Sequence, residues 1–343
     1  MNVGILTGGG DCPGLNAVIR AVVRHGVEGF DMDVLGIRNG WEGMITGNVE
    51  PLTPYSVTGI LPRGGTILGT SRTNPFKEKD LPQRVVDNYK KYGLDAIVVV
   101  GGEDTLGVAD KLGALGINCV GVPKTIDNDI SGTDVTFGFD TAVTIATEAI
   151  DRLHSTAESH HRIMVVEVMG RHAGWIALHA GIAGGADCIL VPEVPFSVED
   201  VCRSLEKRHR KGKTFSIVVV AEGATTTDKA ELVTQDDQTD EFGHVRLGGI
   251  GQRLGKAIEK ESGIETRVTI LGHVQRGGSP TPYDRVLATR FGVRAIEAVA
   301  SSAWGKMVAL QGSKIVLVKI SDAIKELRHA PRDLYDIASV FFG

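Results

Sequence analysis

Little in this chain points toward a membrane, a disulfide scaffold or a nucleic acid. Its four cysteines, Cys12, Cys119, Cys188 and Cys202, lie far apart in 343 residues, with no C-x-x-C pair. That spacing excludes a disulfide framework and a structural zinc site and fits reduced thiols. No apolar run approaches the ~18 residues of a membrane span. Net charge is −5 and the pI about 6.1, so no basic footprint for nucleic acid or an anionic membrane surface is present. A repeat of fixed period, a Gly-Lys-Ser/Thr Walker loop and a G-x-G-x-x-G dinucleotide fingerprint are all missing. The first residues run straight into a strand pattern, so no signal peptide is expected and the expected compartment is the cytoplasm.

What is abundant is apolar residues and glycine. Hydrophobic residues make up 42% of the chain and mean hydropathy is +0.03, enough for one large core or two smaller ones. There are 44 glycines, close to twice the usual share of about 7%. They cluster just after apolar runs, where a chain leaves a strand and lets a ligand approach its backbone.

Strand-like runs fall at Val3–Thr7, Val34–Ile37, Ala96–Val100, Cys119–Val122, Ile163–Val168, Cys188–Val191, Ile217–Ala221, Val268–Leu271 and Ile315–Val318. Several are continuously apolar, as strands covered on both faces of a parallel sheet are. Helical patterns lie between them, over 14–29, 81–92, 105–116, 140–160, 172–184, 197–210, 249–262 and 282–300. This alternation predicts a doubly wound α/β fold, whose ligands sit beyond the carboxyl ends of the strands. Six strand exits are polar or glycine-rich: 8–11, 101–105, 123–129, 169–171, 222–223 and 272–278. A parallel sheet gathers them on one edge. Residues 224–247 are polar and read as a surface excursion. A division after residue 137 separates a first sheet from a second, giving domains 1–137 and 138–343, with C-terminal segments expected to cross back to the first.

The chemistry of the loops is specific in residue type. Gly8-Gly9-Gly10-Asp11 before a helix suits a phosphate, though glycine also serves a tight turn. Gly64 to Asn74 sets Arg72 among glycines and hydroxyls, either as a bidentate phosphate grip or as a solvated surface charge. Glu103 and Asp104 offer oxygens to a hard cation such as Mg²⁺, and Asp104 or Thr105 could equally cap a helix. Asp127 and Asp129, two apart in a loop, suit proton abstraction from an attacking hydroxyl; an Asx turn is the plain alternative. Met169-Gly170-Arg171, His273 and Arg276 add donors, although a lone His is more often structural. Arg162 and Arg267 begin strands, at the end remote from their own cleft, and reach a site only if the protein oligomerises. Cys12 reads as packing, and His154, Glu158, His160 and His161 lack metal-ligand spacing.

Seven of these segments occur in the order found in the 6-phosphofructokinase family, which the chain resembles over essentially its whole length. They are Gly9 to Asn16, Gly64 to Arg72, the loop 101–105, Thr125 to Asp129, Val166 to Arg171, Ala221 to Gly223, and Leu271 to Gly278. The resemblance implies two similar doubly wound α/β domains with mostly parallel sheets and the active site between them. The phosphate donor and Mg²⁺ would sit on the first, and fructose 6-phosphate mostly on the second. It implies Asp127 as the base at the sugar 1-hydroxyl. Thr125 would hold the reacting end, and Arg72 and Arg171 would neutralise the migrating phosphoryl group. Gly10 would contact the donor and Glu103 the metal. The sugar phosphate would be held by Thr125, Ile126, Asp127, Met169, Gly170, Arg171, Glu222, His273, Val274, Gln275 and Arg276, with Arg162 and Arg267 lent by the neighbour in a homodimer or homotetramer. Arg20, Arg24, Lys211 and Lys213 resemble part of a family effector site, but His154 stands where an arginine is expected, so strong effector control is not.

The donor is read from two departures. Asp104 replaces the glycine that leaves room for a nucleotide's inner phosphate. At ~4 Å and an effective dielectric of ~20 the added repulsion is about 4 kcal/mol. Lys124 stands beside the catalytic loop and offers diphosphate a cation. Together they resemble the diphosphate-dependent branch, which interconverts fructose 6-phosphate and fructose 1,6-bisphosphate reversibly. The rivals are an ATP-dependent kinase on the same scaffold and a non-catalytic sugar-phosphate-binding subunit.

Overall fold

The structure is a computed structural model that describes residues 1–227, 234–239, 242–243 and 245–342. In chain order the strands are β1 (Asn2–Thr7), β2 (Asp33–Ile37), β3 (Val49–Leu52), β4 (Ala96–Gly101), β5 (Cys119–Thr125), β6 (Phe137–Gly138), β7 (Ile163–Val168), β8 (Cys188–Leu190), β9 (Ser216–Ala221), β10 (Thr234–Thr239), β11 (Val245–Leu247), β12 (Thr266–Ile270), β13 (Lys306–Gln311) and β14 (Lys314–Lys319). The helices are α1 (Leu15–Phe30), α2 (Trp41–Thr46), α3 (Leu81–Lys91), α4 (Glu103–Gly113), α5 (Phe139–His160), α6 (Trp175–Ala183), α7 (Val198–Arg210), α8 (Ile250–Ser262), α9 (Pro282–Ala300), α10 (Ile320–Ala323) and α11 (Arg332–Ser339).

Two sheets result. The first has the order β14-β13-β5-β4-β1-β2-β3, with β6 beside β5. Its centre is parallel, while β3 and β14 run antiparallel at the two edges. The second, β12-β7-β9-β8, is parallel throughout. Every residue of β4, β7 and β9 is buried. Continuous Val/Ile runs form these strands because helices cover both faces and leave no polar side to mark.

The chain crosses between the sheets more than once. After the second sheet, α9 returns to pack on α1, and β13 then joins β5 in the first. α11 goes back to lie on α6 and β8. Helix starts carry local signals: Ser197 accepts from Asp200 N–H before α7, and Thr281 accepts from Asp284 N–H before α9, where Pro282 holds the first position.

Three expectations change. α4 starts at Glu103 with Gly102 as its cap, so Asp104 lies inside the first turn and is not the cap residue. The stretch 224–247 contains the antiparallel pair β10-β11; its remaining part, 228–233, 240–241 and 244, lies outside the described residues. α2, β3, β13 and α11 form outside the expected elements. Among the described residues no helix is long and apolar enough to cross a membrane.

Candidate active site

All six strand exits converge on two adjoining cavities. The smaller, about 90 Å³, is lined by Gly9 and Gly10 after β1, Gly102 to Thr105 after β4, and Thr125, Asp127 and Asp129 after β5. The larger, about 530 Å³, is lined by Met169 and Arg171 after β7, Glu222 after β9, and Gly272, His273 and Arg276 after β12. Arg72, Arg171 and Arg276 line both. Three guanidinium groups therefore stand at the junction, with Asp127 on the side of the smaller cavity.

Local hydrogen bonds explain how a flexible, glycine-rich sequence holds this shape. Asn16, in the first turn of α1, donates to the carbonyls of Arg63 and Gly64 and accepts from Ile67 N–H at 2.9 Å. Thr7 Oγ1 donates to Gly69 O at 2.8 Å, Thr70 Oγ1 to Gly9 O at 2.5 Å, and Gly9 N–H to Ser71 O at 2.9 Å. The loop carrying Arg72 is thus sewn to the loop after β1. The positive end of a helix does reach the small cavity, but it belongs to α4, whose Gly102 to Thr105 line it. The sequence pointed to α1.

Two glycines lie tight against arginines, Gly10 against a movable guanidinium and Gly223 against backbone. A Cβ on Gly10 would run into the Arg276 guanidinium, which donates to Asp11 O at 3.3 Å. A Cβ on Gly223 would collide with the carbonyl of Arg171, itself in a left-handed conformation at φ 49°. Non-glycine residues adopt that conformation only when their surroundings enforce it. Here Glu222 accepts from Arg171 N–H at 3.2 Å.

The electrostatics are those of a site awaiting cations and phosphates. Asp127 is buried, its N–H donates to Thr125 Oγ1 at 3.0 Å, and its Oδ1 has no hydrogen-bond partner among the described residues. Burial, and next the charge of Asp127, push Asp129 up to about 7. The same two causes push Glu222 up to about 7. Lys124 is buried with Nζ donating to Gly10 O, and burial lowers its pKa. Cys12 is buried and pushed up to about 12, an inert packing thiol.

Other residues named from sequence fall outside the lining. Ile126 and Gln275 are buried; the Gln275 side chain accepts from Met169 N–H at 3.4 Å and donates to Gly272 O at 3.0 Å, bracing the cavity wall. Gly170 is buried between two lining residues, and Val274 points outward, 61% exposed. Arg162 and Arg267 stand at the opposite ends of β7 and β12, both paired with Glu265, the former at 2.6 Å. Glu167 lines the large cavity and was missed: its carboxylate accepts from Gly249 and Gly251 N–H at the start of α8. An acid inside an apolar strand was the available signal.

Residues 2–299 match the profile of a single family, described as Phosphofructokinase. The chain belongs to the phosphofructokinase family. It is 59% identical to a pyrophosphate–fructose 6-phosphate 1-phosphotransferase of Streptomyces coelicolor over the full length of both chains. An ATP-dependent 6-phosphofructokinase 3 of the same organism is 52% identical over 98% of each. Among solved structures, Pichia pastoris phosphofructokinase in the T-state superposes with a TM-score of 0.85 at 33% identity, covering 99% of this chain and 36% of that one.

Proposed function

We propose that the chain is a diphosphate-dependent 6-phosphofructokinase, moving a phosphoryl group from diphosphate to the 1-hydroxyl of fructose 6-phosphate. The observation that carries this reading is the set Arg72, Arg171 and Arg276 shared by two cavities of unequal size beside an unpartnered buried carboxylate. Phosphoryl transfer asks chiefly for alignment and charge neutralisation, which three guanidiniums at the junction supply. The sugar phosphate takes the large cavity, where Met169, Glu222, His273 and Arg276 bind it, with Ile126, Gly170 and Gln275 buried behind the lining. Asp127 accepts the hydroxyl proton. In this reading Arg162 and Arg267 reach the 6-phosphate of a neighbouring subunit in a homo-oligomer, and residues 1–137 act as the donor domain and 138–343 as the sugar domain, apart from the C-terminal segments such as β13 and β14 that cross back to the first.

Mg²⁺ fits the carboxylate set. The lone Asp127 Oδ1 and the mutual repulsion of Asp127 and Asp129 are what a divalent cation relieves. Among the described residues no three metal-ligating side chains converge, so Glu103 or a neighbouring carboxylate would share the ion with the diphosphate oxygens, the usual arrangement for Mg²⁺. The bound ion would offset charge on the donor.

The donor assignment rests on Asp104, Lys124 and the size of the small cavity. At about 90 Å³ it suits an inorganic anion better than a nucleotide, whose pockets run to roughly 300–1,000 Å³. The 52% identical ATP-dependent relative favours the ATP reading. Purified enzyme assayed with each donor and Mg²⁺ decides: strong diphosphate turnover with negligible ATP turnover is expected, and the reverse removes the proposal. Asp104→Gly is expected to improve kcat/KM for ATP by up to about a thousandfold, the repulsion above converted to binding. An unchanged donor ratio would refute the role given to Asp104. A hexose-phosphate binder inactive with both donors would leave the non-catalytic reading standing.

A further inference from the structure

The segment joining α10 to α11 runs beside the loop that carries Asp127, 200 residues away in sequence. Leu327 forms an antiparallel bridge with Ile130, and Ser131 donates its hydroxyl to Glu326 O at 2.8 Å. Arg328 makes the tightest set of contacts. Its N–H donates to Asp129 O at 2.8 Å, and Nη1 donates to Asp134 O at 2.7 Å and Asn128 O at 3.4 Å. Asn128 holds φ 55°, a left-handed conformation that asparagine tolerates better than most residues.

The other side of Arg328 faces the second sheet. Its guanidinium carbon lies 4.2 Å from the centre of the Trp175 ring, and Trp175 Nε1 donates to Arg328 O at 2.9 Å. Trp175 begins α6, directly after the loop that holds Arg171. Glu193 completes the tie, accepting from Gly174 N–H at 2.9 Å and from Ala330 N–H at 2.8 Å. A half-buried guanidinium is therefore met by backbone carbonyls and an indole face. Simple docking of a chain terminus would not require that.

We propose that Arg328 is a positioning residue for phosphoryl transfer, clamping the Asp127–Asp129 loop against the Met169–Arg171 loop. The inference rests on Asp127 acting as the base. It assigns function to a segment that touches neither cavity. A displacement of about 1 Å at reacting groups can cost on the order of a hundredfold in rate, so a clamp acts on kcat more than on binding.

The test compares Arg328→Ala and Arg328→Lys in steady-state assays with diphosphate, Mg²⁺ and fructose 6-phosphate. Arg328→Ala is expected to lower kcat by about 10- to 100-fold and to change either KM much less. Arg328→Lys should recover only part, because one ammonium cannot reproduce the planar fork. Millimolar guanidinium ion should restore part of the lost kcat in Arg328→Ala and leave the parent enzyme unaffected. The emission of Trp175, assigned by difference from a Trp175→Phe background, should shift when its stacking partner is lost. A kcat within about twofold of the parent overturns the clamp, as does a loss that follows the folded fraction by circular dichroism and resists guanidinium. If Arg328→Ala does not fold, the split between kcat and KM in Arg328→Lys decides. Asp127→Asn separates the two claims: inactive Asp127→Asn with normal Arg328 variants removes only the clamp, while active Asp127→Asn removes the reading beneath it.

Discussion

At the scale of single residues, burial holds the acids of the site away from their ordinary ionisation. Glu222 carries a value of about 7 against an ordinary 4.5, because burial and the nearby Asp127 charge penalise its ionised form. The fold therefore favours protonated Glu222. Its contribution to stability is fully present below about 4.5 and is lost as pH rises through about 7. Asp129, raised to about 7 from 3.8, acts with the same sign over a window opening slightly lower. The ligand-free protein should lose thermal stability as pH climbs across that window. Glu222→Gln should flatten the fall, leaving the Asp129 part. Melting temperatures of both proteins at intervals from pH 4 to 8 check this. Parallel curves would show that Glu222 ionises freely in the folded state. Residue types announced this chemistry in the sequence, since Asp127, Asp129, Arg72 and Arg171 could be named from their loops. The burial of Lys124 and the unpartnered Oδ1 of Asp127 could not, because burial depends on chain segments far away.

At the scale of elements, what was legible followed length. Long helices such as α1, α5 and α9 match their sequence patterns within a residue or two, since a helical pattern sustained over many turns is hard to mistake. Six-residue α2, set between Gly40 and Gly47, offers too few turns to show a stripe. β13 was missed because lysine and glutamine close off its four buried residues, and it acquires a partner only when the chain returns to β5. The α1–α9 contact illustrates packing that the pattern does not reveal. A Cβ on Gly292 would sit 2.7 Å from Ala21 Cβ and 2.8 Å from Val18 O. Intrinsic propensity alone makes Gly→Val in a helix mildly favourable. Overpacking a tight crossing costs about 1–3 kcal/mol, so Gly292→Val should destabilise. Urea unfolding measures the sign; a more stable variant would mean that the two helices can part at little expense.

At the scale of the whole molecule, the parallel sheets do the gathering. Residues from position 9 to position 276 meet because most follow the carboxyl end of a strand, which could be inferred from alternation alone, while Arg72 arrives on the long loop between β3 and α3 that is sewn to the loop after β1. The strap through Arg328 could not, because a contact across 200 residues between two loops leaves no local pattern. Arg162 and Arg267 pose the remaining question of scale, since β7 and β12 carry them to the end opposite their own cleft. Glu265 holds both side chains together in the single chain, as a preformed pair of donors would be held. If a symmetric dimer lends them across an isologous interface, each site draws its base from one subunit and its phosphate grip from the other. Asp127→Asn and Arg267→Ser subunits, each nearly inactive alone, should then complement. Within a mixed dimer, the site with intact Asp127 receives Arg267 from the Asp127→Asn partner, while the other site carries both lesions. Equal mixing after reversible dissociation should restore about a quarter of the parent activity, since half the dimers are hybrids with one good site. Activity equal to the mean of the two unmixed variants would place Arg267 outside any neighbour's site.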